Sequence, residues 1–351
     1  MRRTPSVLHL QADARDMPAT HAGLASETPA PSSALDPVAL TPAMADVLRR
    51  AHVFAPAATP IILHGESGTG KTFIAEYIHE LSGRQGGFHP FSVGSVAPQL
   101  ALDELFGHVQ GAYTDARRVR PGRIATAGNG TLLLDDVQNL ELGVQKQLLQ
   151  VLDRGTYSPV GSDRVLAVAC RVILAMADDP DGLVRCGVLL KDLRYRFGTC
   201  SIRVPSLRER RAEIPTLAQL FLDDCPRATK LDGPRRFSAA ALAFLLEGEY
   251  PGNVRELGGA VVHAFLMARA VGAAEVGATH LPAEVCPPLR YERRGDRESN
   301  RRAIERALVR TGGNVKAAAG LLGVSRGTIN ALLPTGRLQL GEVGGGRRRK
   351  G

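Results

Sequence analysis

The chain has 351 residues, 44% of them hydrophobic and 23% charged, which is enough ordinary globular sequence for two or three domains with buried cores. Its five cysteines are scattered without C-x-x-C spacing, no apolar run reaches membrane-spanning length, and the N-terminus lacks the apolar segment of a secretory signal. These features argue against a disulfide framework, a zinc site and a membrane partner, and they predict a cytoplasmic protein. The net charge of +9 is concentrated at one end: residues 287–351 carry 15 Lys and Arg against 5 Asp and Glu, the footprint of a nucleic-acid-binding end on a near-neutral body.

Residues 1–37, rich in Ala, Pro, Ser and Thr without periodicity, read as a disordered leader. A helix is expected from Thr41 or Pro42, with Met44, Val47, Leu48 and Ala51 on one face. Pro60–His64 reads as a buried strand, and Thr72 to Leu81 as a helix with Phe73, Ile74, Tyr77, Ile78 and Leu81 inward. Between them Gly65, Glu66, Ser67, Gly68, Thr69, Gly70, Lys71 and Thr72 fit the phosphate-binding pattern G-x-x-x-x-G-K-[ST]. A strand, a Gly-rich turn and a helix start aim backbone N–H groups at an anion on the positive end of a helix dipole. Lys71 would reach the β- and γ-phosphates of a nucleoside triphosphate, and the Thr72 hydroxyl would face Mg²⁺.

Phe88–Val96 reads as a second strand, followed by a helix with Leu100, Leu102, Leu105 and Phe106 and then a Gly-containing loop around Tyr113. Thr131–Asp136 is an apolar strand ending in two carboxylates. An unbroken apolar run implies cover on both faces, as in the parallel sheet of an α/β domain. Beside a phosphate loop, Asp135 would hold Mg²⁺ and Asp136 would orient or deprotonate the attacking water. Leu142–Leu152 is expected to be a helix closed by Gly155, Val165–Ala177 a strand, and Leu189–Phe197 a segment carrying Arg194 and Arg196. After Leu207 only helices are expected, at Ile214–Leu222, Ser238–Leu246 and Asn253–Ala268, and a Pro/Arg-rich linker follows.

Arg301–Val309, Val315–Leu322 and Arg326–Leu333 form a three-helix pattern, with a tight turn at Gly323 and Pro334 as the stop. Ser325 starts the third helix. In a helix–turn–helix that helix enters the major groove of double-stranded DNA, with Arg326, Thr328 and Asn330 nearest the bases or phosphates.

In this order the segments resemble the sigma-54-dependent transcriptional activators, AAA+ ATPases joined to a Fis-type helix–turn–helix, from about Leu40 to Leu340. The resemblance rests on Gly-Glu-Ser-Gly-Thr-Gly-Lys at Gly65–Lys71, on Glu104–His108 followed by Gly111, Ala112, Tyr113, Thr114, Asp115 and Ala116, on Val204–Arg211, on Tyr250–Leu257 and on Thr311–Asn314. It implies an α/β nucleotide-binding domain at 38–205, a helical lid at 206–286, a linker at 287–297, a DNA-binding domain at 298–341 and a basic tail at 342–351. It also implies that Arg255 contacts nucleotide phosphates, that Arg196 enters a neighbouring subunit's site, and that the Gly111–Ala116 loop contacts sigma-54 RNA polymerase. The implied assembly is a ring, a hexamer, bound to enhancer DNA. With no sensory domain ahead of the ATPase, control is expected from a regulatory protein partner or from expression level.

The chain departs from the family at several places. Asp136 stands where the family has Glu, Gly94 where it has Asn, Ala175-Met176-Ala177 where it has Ala-Thr-Asn, Leu190 where it has the first interface arginine, and Asp115 where it has a loop glycine. Losing one water-positioning group often costs on the order of 10²-fold in rate, so a slow ATPase is expected. A DNA-binding regulator that takes ATP as an assembly ligand stands as the alternative.

Overall fold

The computed structural model describes residues 38–113, 116–197, 200–285, 291 and 296–332. The expected leader, Thr114 and Asp115, most of the linker, Pro334 and the basic tail lie outside the described residues. The chain divides into two units, one comprising the residues up to Leu217 with Tyr250–Gly258, the other Ala218–Glu249 and the residues from Gly259 onward.

The first unit begins with α1 (Pro42–Phe54). Its Thr41 cap accepts from the Met44 amide at 3.4 Å, and Pro42 occupies a first-turn position that needs no N–H. In chain order there follow β1 (Ile61–His64), α2 (Lys71–Leu81), β2 (Phe88–Ser92), α3 (Pro98–Phe106), β3 (Gly107–His108), β4 (Arg120–Pro121), α4 (Arg123–Ala127), β5 (Thr131–Asp135) and α5 (Leu142–Arg154). The unit continues with β6 (Thr156–Tyr157), β7 (Leu166–Ala167), β8 (Arg171–Met176), α6 (Pro180–Arg185), α7 (Lys191–Phe197) and β9 (Ser201–Arg203). The main sheet is wholly parallel in the order β2-β5-β8-β1-β9. Side chains alternate between its faces. Ile62, Leu132, Leu134, Val172 and Leu174 pack with residues of α3, α5 and α7, while Ile61, Leu63, Leu133, Ile173 and Ala175 pack with α1 and α2. That two-sided cover explains the unbroken apolar run of β5, since each such side chain contributes roughly 1.5–3 kcal/mol when fully buried.

Four expectations need correction here. The second strand ends at Ser92 instead of Val96, because Val93–Ser95 forms a single 3-10 turn that buries Val93. The carboxylate-bearing strand ends at Asp135, and Asp136 leaves it in the left-handed region at φ 60° and ψ 41°. The long strand expected over Val165–Ala177 is two. β7 pairs back on β6, and β8 starts at Arg171, whose buried guanidinium donates to the Phe54 and Ala55 carbonyls at 2.7 Å each and so caps the end of α1. The Leu189–Phe197 segment is helical only from Lys191, and α6 ahead of it was not foreseen, although Asp179 caps it through the Gly182 amide at 3.0 Å.

α8 (Ile214–Thr229) and α10 (Asn253–Ala270) each contribute residues to both units, with α9 (Ala239–Glu247) between them in the chain. α8 runs past the expected end at Leu222 and carries Pro226. In the second unit Ser238 caps α9 through the Ala241 amide at 3.1 Å. α11 (Arg297–Arg310), α12 (Val315–Leu322) and α13 (Arg326–Leu332) enclose Ile304, Ala307, Leu308, Ala318, Ala319 and Ile329. α11 starts four residues earlier than expected, because Asp296 accepts from the Ser299 amide at 3.0 Å and caps it. Gly323 makes the turn between α12 and α13 at φ 63°. Arg306 ties α11 to α9 through Glu247 at 2.6 Å.

Among the described residues no helix is long and apolar enough to cross a membrane.

Candidate functional site

At the ends of β1 and β5 in the first unit, Ser67, Gly68, Gly70, Lys71, Thr72, Asp135, Asp136 and Arg255 line one polar cleft. All eight were singled out in the sequence, so the fold gathers the loop, the strand-end carboxylates and the distant arginine. The loop conformation depends on glycine. A Cβ at Gly68 would lie 2.2 Å from the Gly252 carbonyl oxygen, and its φ is +76°. Gly70 caps α2 at φ 99° with no side chain of its own, leaving the helix's first amides without a side-chain cap where Gly70, Lys71 and Thr72 line the cleft.

Lys71 is buried and folds back on the loop, donating through Nζ to the carbonyls of Gly65 at 2.7 Å and Glu66 at 3.1 Å. Burial pushes its ammonium below the ordinary lysine value, although Asp135 and Asp136 pull the other way. Asp135 is pushed up, first by burial and then by the neighbouring charge of Asp136. Its Oδ1 accepts from the Asp136 amide at 2.9 Å. Both groups therefore sit in a setting that an anion and a cation would relieve. Thr72 and Asp135 offer hard oxygen donors, and among the described residues no group of three or more His, Cys, Asp or Glu could hold a metal. Two protein oxygens suit a Mg²⁺ that keeps waters and is shared with phosphates.

Three expected loop residues, Gly65, Glu66 and Thr69, are not among those that line the cleft. Gly65 meets the residue just past β9: a Cβ there would lie 2.3 Å from the Val204 carbonyl oxygen. The Glu66 carboxylate pairs with Arg208, with Nη1 to Oε2 at 2.8 Å, and accepts from Asn253 Nδ2 at 3.1 Å, which together hold it below its ordinary value. Thr69 turns its hydroxyl onto the Glu66 carbonyl at 2.8 Å. Arg208, Arg210 and Asn253 are the supporting residues that the sequence left without a role. Asn253, fully buried at φ 54°, accepts from the Leu207 amide at 2.8 Å and donates to the Ser67 carbonyl at 3.0 Å. Arg255, two residues further on, donates through Nη1 to Ser67 Oγ at 3.0 Å.

Arg196 does not line the cleft. It lies half-exposed on α7, paired with Asp153 at 2.7 Å. The Gly111–Ala116 loop is described only at its base. There Gly111 N donates to the Ala116 carbonyl at 2.8 Å and Ala116 N to the Tyr113 carbonyl at 2.9 Å. The Tyr113 ring meets buried His108 edge-on at 5.1 Å, and His108 Nδ1 contacts Asp103 Oδ1 at 2.5 Å. Arg120 and Arg123 grip Glu104 at 2.6 and 3.1 Å. In the second unit Arg326 and Asn330 are exposed on α13, and Thr328 is half-exposed. Ser325 caps that helix through the Thr328 amide at 3.1 Å.

Comparison with known proteins gives three family matches in succession: the Sigma-54 interaction domain at residues 38–203, the AAA+ ATPase lid domain at 208–296, and the bacterial regulatory protein, Fis family, at 297–330. Over 315 residues the chain is 34% identical to the transcriptional regulatory protein ZraR of Escherichia coli (strain K12), covering 88% of this chain and 70% of that protein. A Nif-specific regulatory protein of Rhizobium leguminosarum bv. trifolii is 39% identical over 217 residues, 61% of each chain. The crystal structure of NtrX from Brucella abortus in complex with ATP superposes with a TM-score of 0.63 at 28% identity, covering 85% of this chain and 68% of that one.

Proposed function

We propose, from the premise that this chain belongs to the sigma-54-dependent transcriptional activators with an AAA+ core and a Fis-type DNA-binding module, that it hydrolyses ATP to remodel sigma-54 RNA polymerase. It does so as a ring of like subunits, a hexamer, held at enhancer DNA by its C-terminal helices. The observation that carries this reading is the convergence of Lys71, Thr72, Asp135, Asp136 and Arg255 on one cleft.

In this reading Lys71 leaves the Gly65 and Glu66 carbonyls and turns to the β- and γ-phosphates. Thr72 and Asp135 would hold Mg²⁺, which would supply charge neutralisation at the phosphates. Asp136 orients the attacking water and takes its proton. Arg255 exchanges Ser67 for a phosphate oxygen. Arg196 breaks from Asp153 to reach the next subunit's nucleotide, a contact worth on the order of 10³–10⁵ in rate where such arginines act. The Gly111–Ala116 loop, braced at Tyr113 and His108, delivers the work to sigma-54. A regulatory protein partner or expression level sets when this happens.

The test is ATP turnover by the purified protein, with Lys71→Ala as the inactive control and Asp136→Glu as the variant that lengthens the base, followed by promoter opening with sigma-54 polymerase. Turnover without promoter opening would remove sigma-54 as the target. A second reading is favoured by the apolar Met176, fully buried at the end of β8, and by Ala177 after it, where the family's Thr and Asn would supply a polar water-holding group: a DNA-binding regulator that takes ATP as an assembly ligand. Nucleotide-dependent assembly with no turnover in any variant supports this second reading.

A further inference from the structure

Asp136 stands just past β5 in a left-handed conformation that a non-glycine residue adopts at a cost, so its surroundings must hold it there. The turn it begins closes through the Asn139 amide, which donates to the Asp136 carbonyl at 2.9 Å. That turn brings Gln138 back over the carboxylate, with Nε2 donating to Asp136 Oδ1 at 3.2 Å. The other oxygen, Oδ2, faces Ser92 Oγ at 3.5 Å, from the end of β2 that lies in register with Asp135. The cost of the Gln138 contact is visible in the same side chain. Its Oε1 is buried without a hydrogen-bond partner among the described residues, and turning the amide over to satisfy it would set oxygen against the carboxylate.

Gly94 lies on the opposite side of this carboxylate. A Cβ built there would sit 3.6 Å from Asp136 Oδ2 and 3.0 Å from Asn139 Nδ2. Gly94 has no side chain to offer, so the amide on this carboxylate comes from the carboxylate's own strand end.

We infer that Gln138 is the positioning residue for Asp136, its side-chain amide holding the carboxylate where it meets the attacking water, in place of a side chain that Gly94 lacks. The inference rests on the hydrolytic reading, because it assigns a partner to the group that reading uses as base. Among the described residues the Gln138 side chain makes no hydrogen bond to the phosphate loop, so its loss acts through Asp136 and leaves nucleotide capture intact.

The test compares full-length wild type with Gln138→Ala, with Gln138→Met, which keeps length and loses the amide, and with Gln138→Ala/Gly94→Asn. The double variant returns an amide from the other side, and exposed Asn139 can yield the few tenths of an ångström required. Two quantities are read: steady-state ATP turnover, and affinity for ADP–Mg²⁺ with and without aluminium fluoride, which reports the arrangement around the transferring phosphate without turnover. Both single variants should lose on the order of tenfold to a hundredfold in kcat and in the fluoride-dependent gain in affinity. KM and affinity for ADP alone should stay within about twofold. The double variant should recover a large part of both losses.

Equal kcat and equal fluoride gain in wild type and Gln138→Met would overturn the inference, as would a matching loss of ADP affinity, which marks a merely structural role. A wild type that captures ADP–fluoride tightly yet never turns over ATP removes the hydrolytic reading instead, and the fluoride arm still decides whether Gln138 matters.

Discussion

Arg210 donates through Nη2 to the Thr69 carbonyl at 2.6 Å, so a cation with only 4% of its side chain exposed is joined to the phosphate loop from beyond β9. Its Nη1 lies 3.4 Å from Glu213, which is wholly buried and also accepts from the Thr41 hydroxyl at 2.8 Å. One small network thus links the cap of α1, the phosphate loop and the segment ahead of α8.

Arg210→Met leaves Glu213 buried without its cation, and breaking such a pair from one side costs roughly 3–5 kcal/mol. The expected result in denaturant melts is a loss of that size, with weaker nucleotide binding. Arg210→Met/Glu213→Leu should regain most of the stability and little of the nucleotide affinity. A double variant with wild-type affinity would show that the loop holds its shape unaided.

Gly68→Ala should cost nucleotide affinity by at least about tenfold, because its Cβ would press on the Gly252 carbonyl and its φ suits glycine. Gly143→Ala is the matching control. It lies in α5, where a Cβ meets nothing within 4 Å, and should be neutral or stabilising by about 0.4–1 kcal/mol. Calorimetric titration with ATP–Mg²⁺ and thermal melts separate the two outcomes.

Glu209 supplies a pH dependence. Bidentate pairing with Arg203 at 2.8 and 2.9 Å, helped by Ser206, lowers its carboxyl to about 2 from the ordinary 4.5. A depressed carboxyl contributes stability that is present above its unfolded value and lost as pH falls toward the folded one. Stability should therefore fall more steeply between pH 4.5 and 2 in wild type than in Glu209→Gln, with the curves parallel near neutrality. Parallel curves throughout would remove Glu209 from the acid transition.

On the DNA side, Arg326→Ala should weaken binding to all sequences and lower the salt slope by about one, if its contact is to phosphate. Asn330→Ala, at a position proposed here to face the bases, should cost ~1–3 kcal/mol on the preferred site alone. Binding measured across several salt concentrations on specific and unrelated duplexes distinguishes them.

Chemistry written in contiguous residues is legible in the sequence alone. Gly65–Thr72 announces a phosphate cradle, because its glycines, lysine and threonine act at adjacent positions. Leu132–Leu134 announces a covered strand, because every side chain is apolar. Gly323 and Ser325 announce a turn and a cap. Boundaries were less legible. The strand through Val165–Ala177 breaks because Arg171 turns inward to carbonyls at the end of α1, a partner 116 residues away that no local pattern reveals.

By itself the sequence determined the parts: a nucleotide loop, two strand-end carboxylates, an arginine-bearing Pro-Gly-Asn turn and a helix–turn–helix on a basic end. Only the tertiary structure decided how those parts are held. Arg210 reaches Thr69 across 141 residues and Asn253 reaches Glu66 across 187, while Glu66 itself turns out to brace the loop and to stay outside the cleft. Hydrogen bonds and ion pairs between such distant residues leave no periodicity in the chain. They arise when a parallel sheet, covered on both faces, brings separate strand ends to one edge.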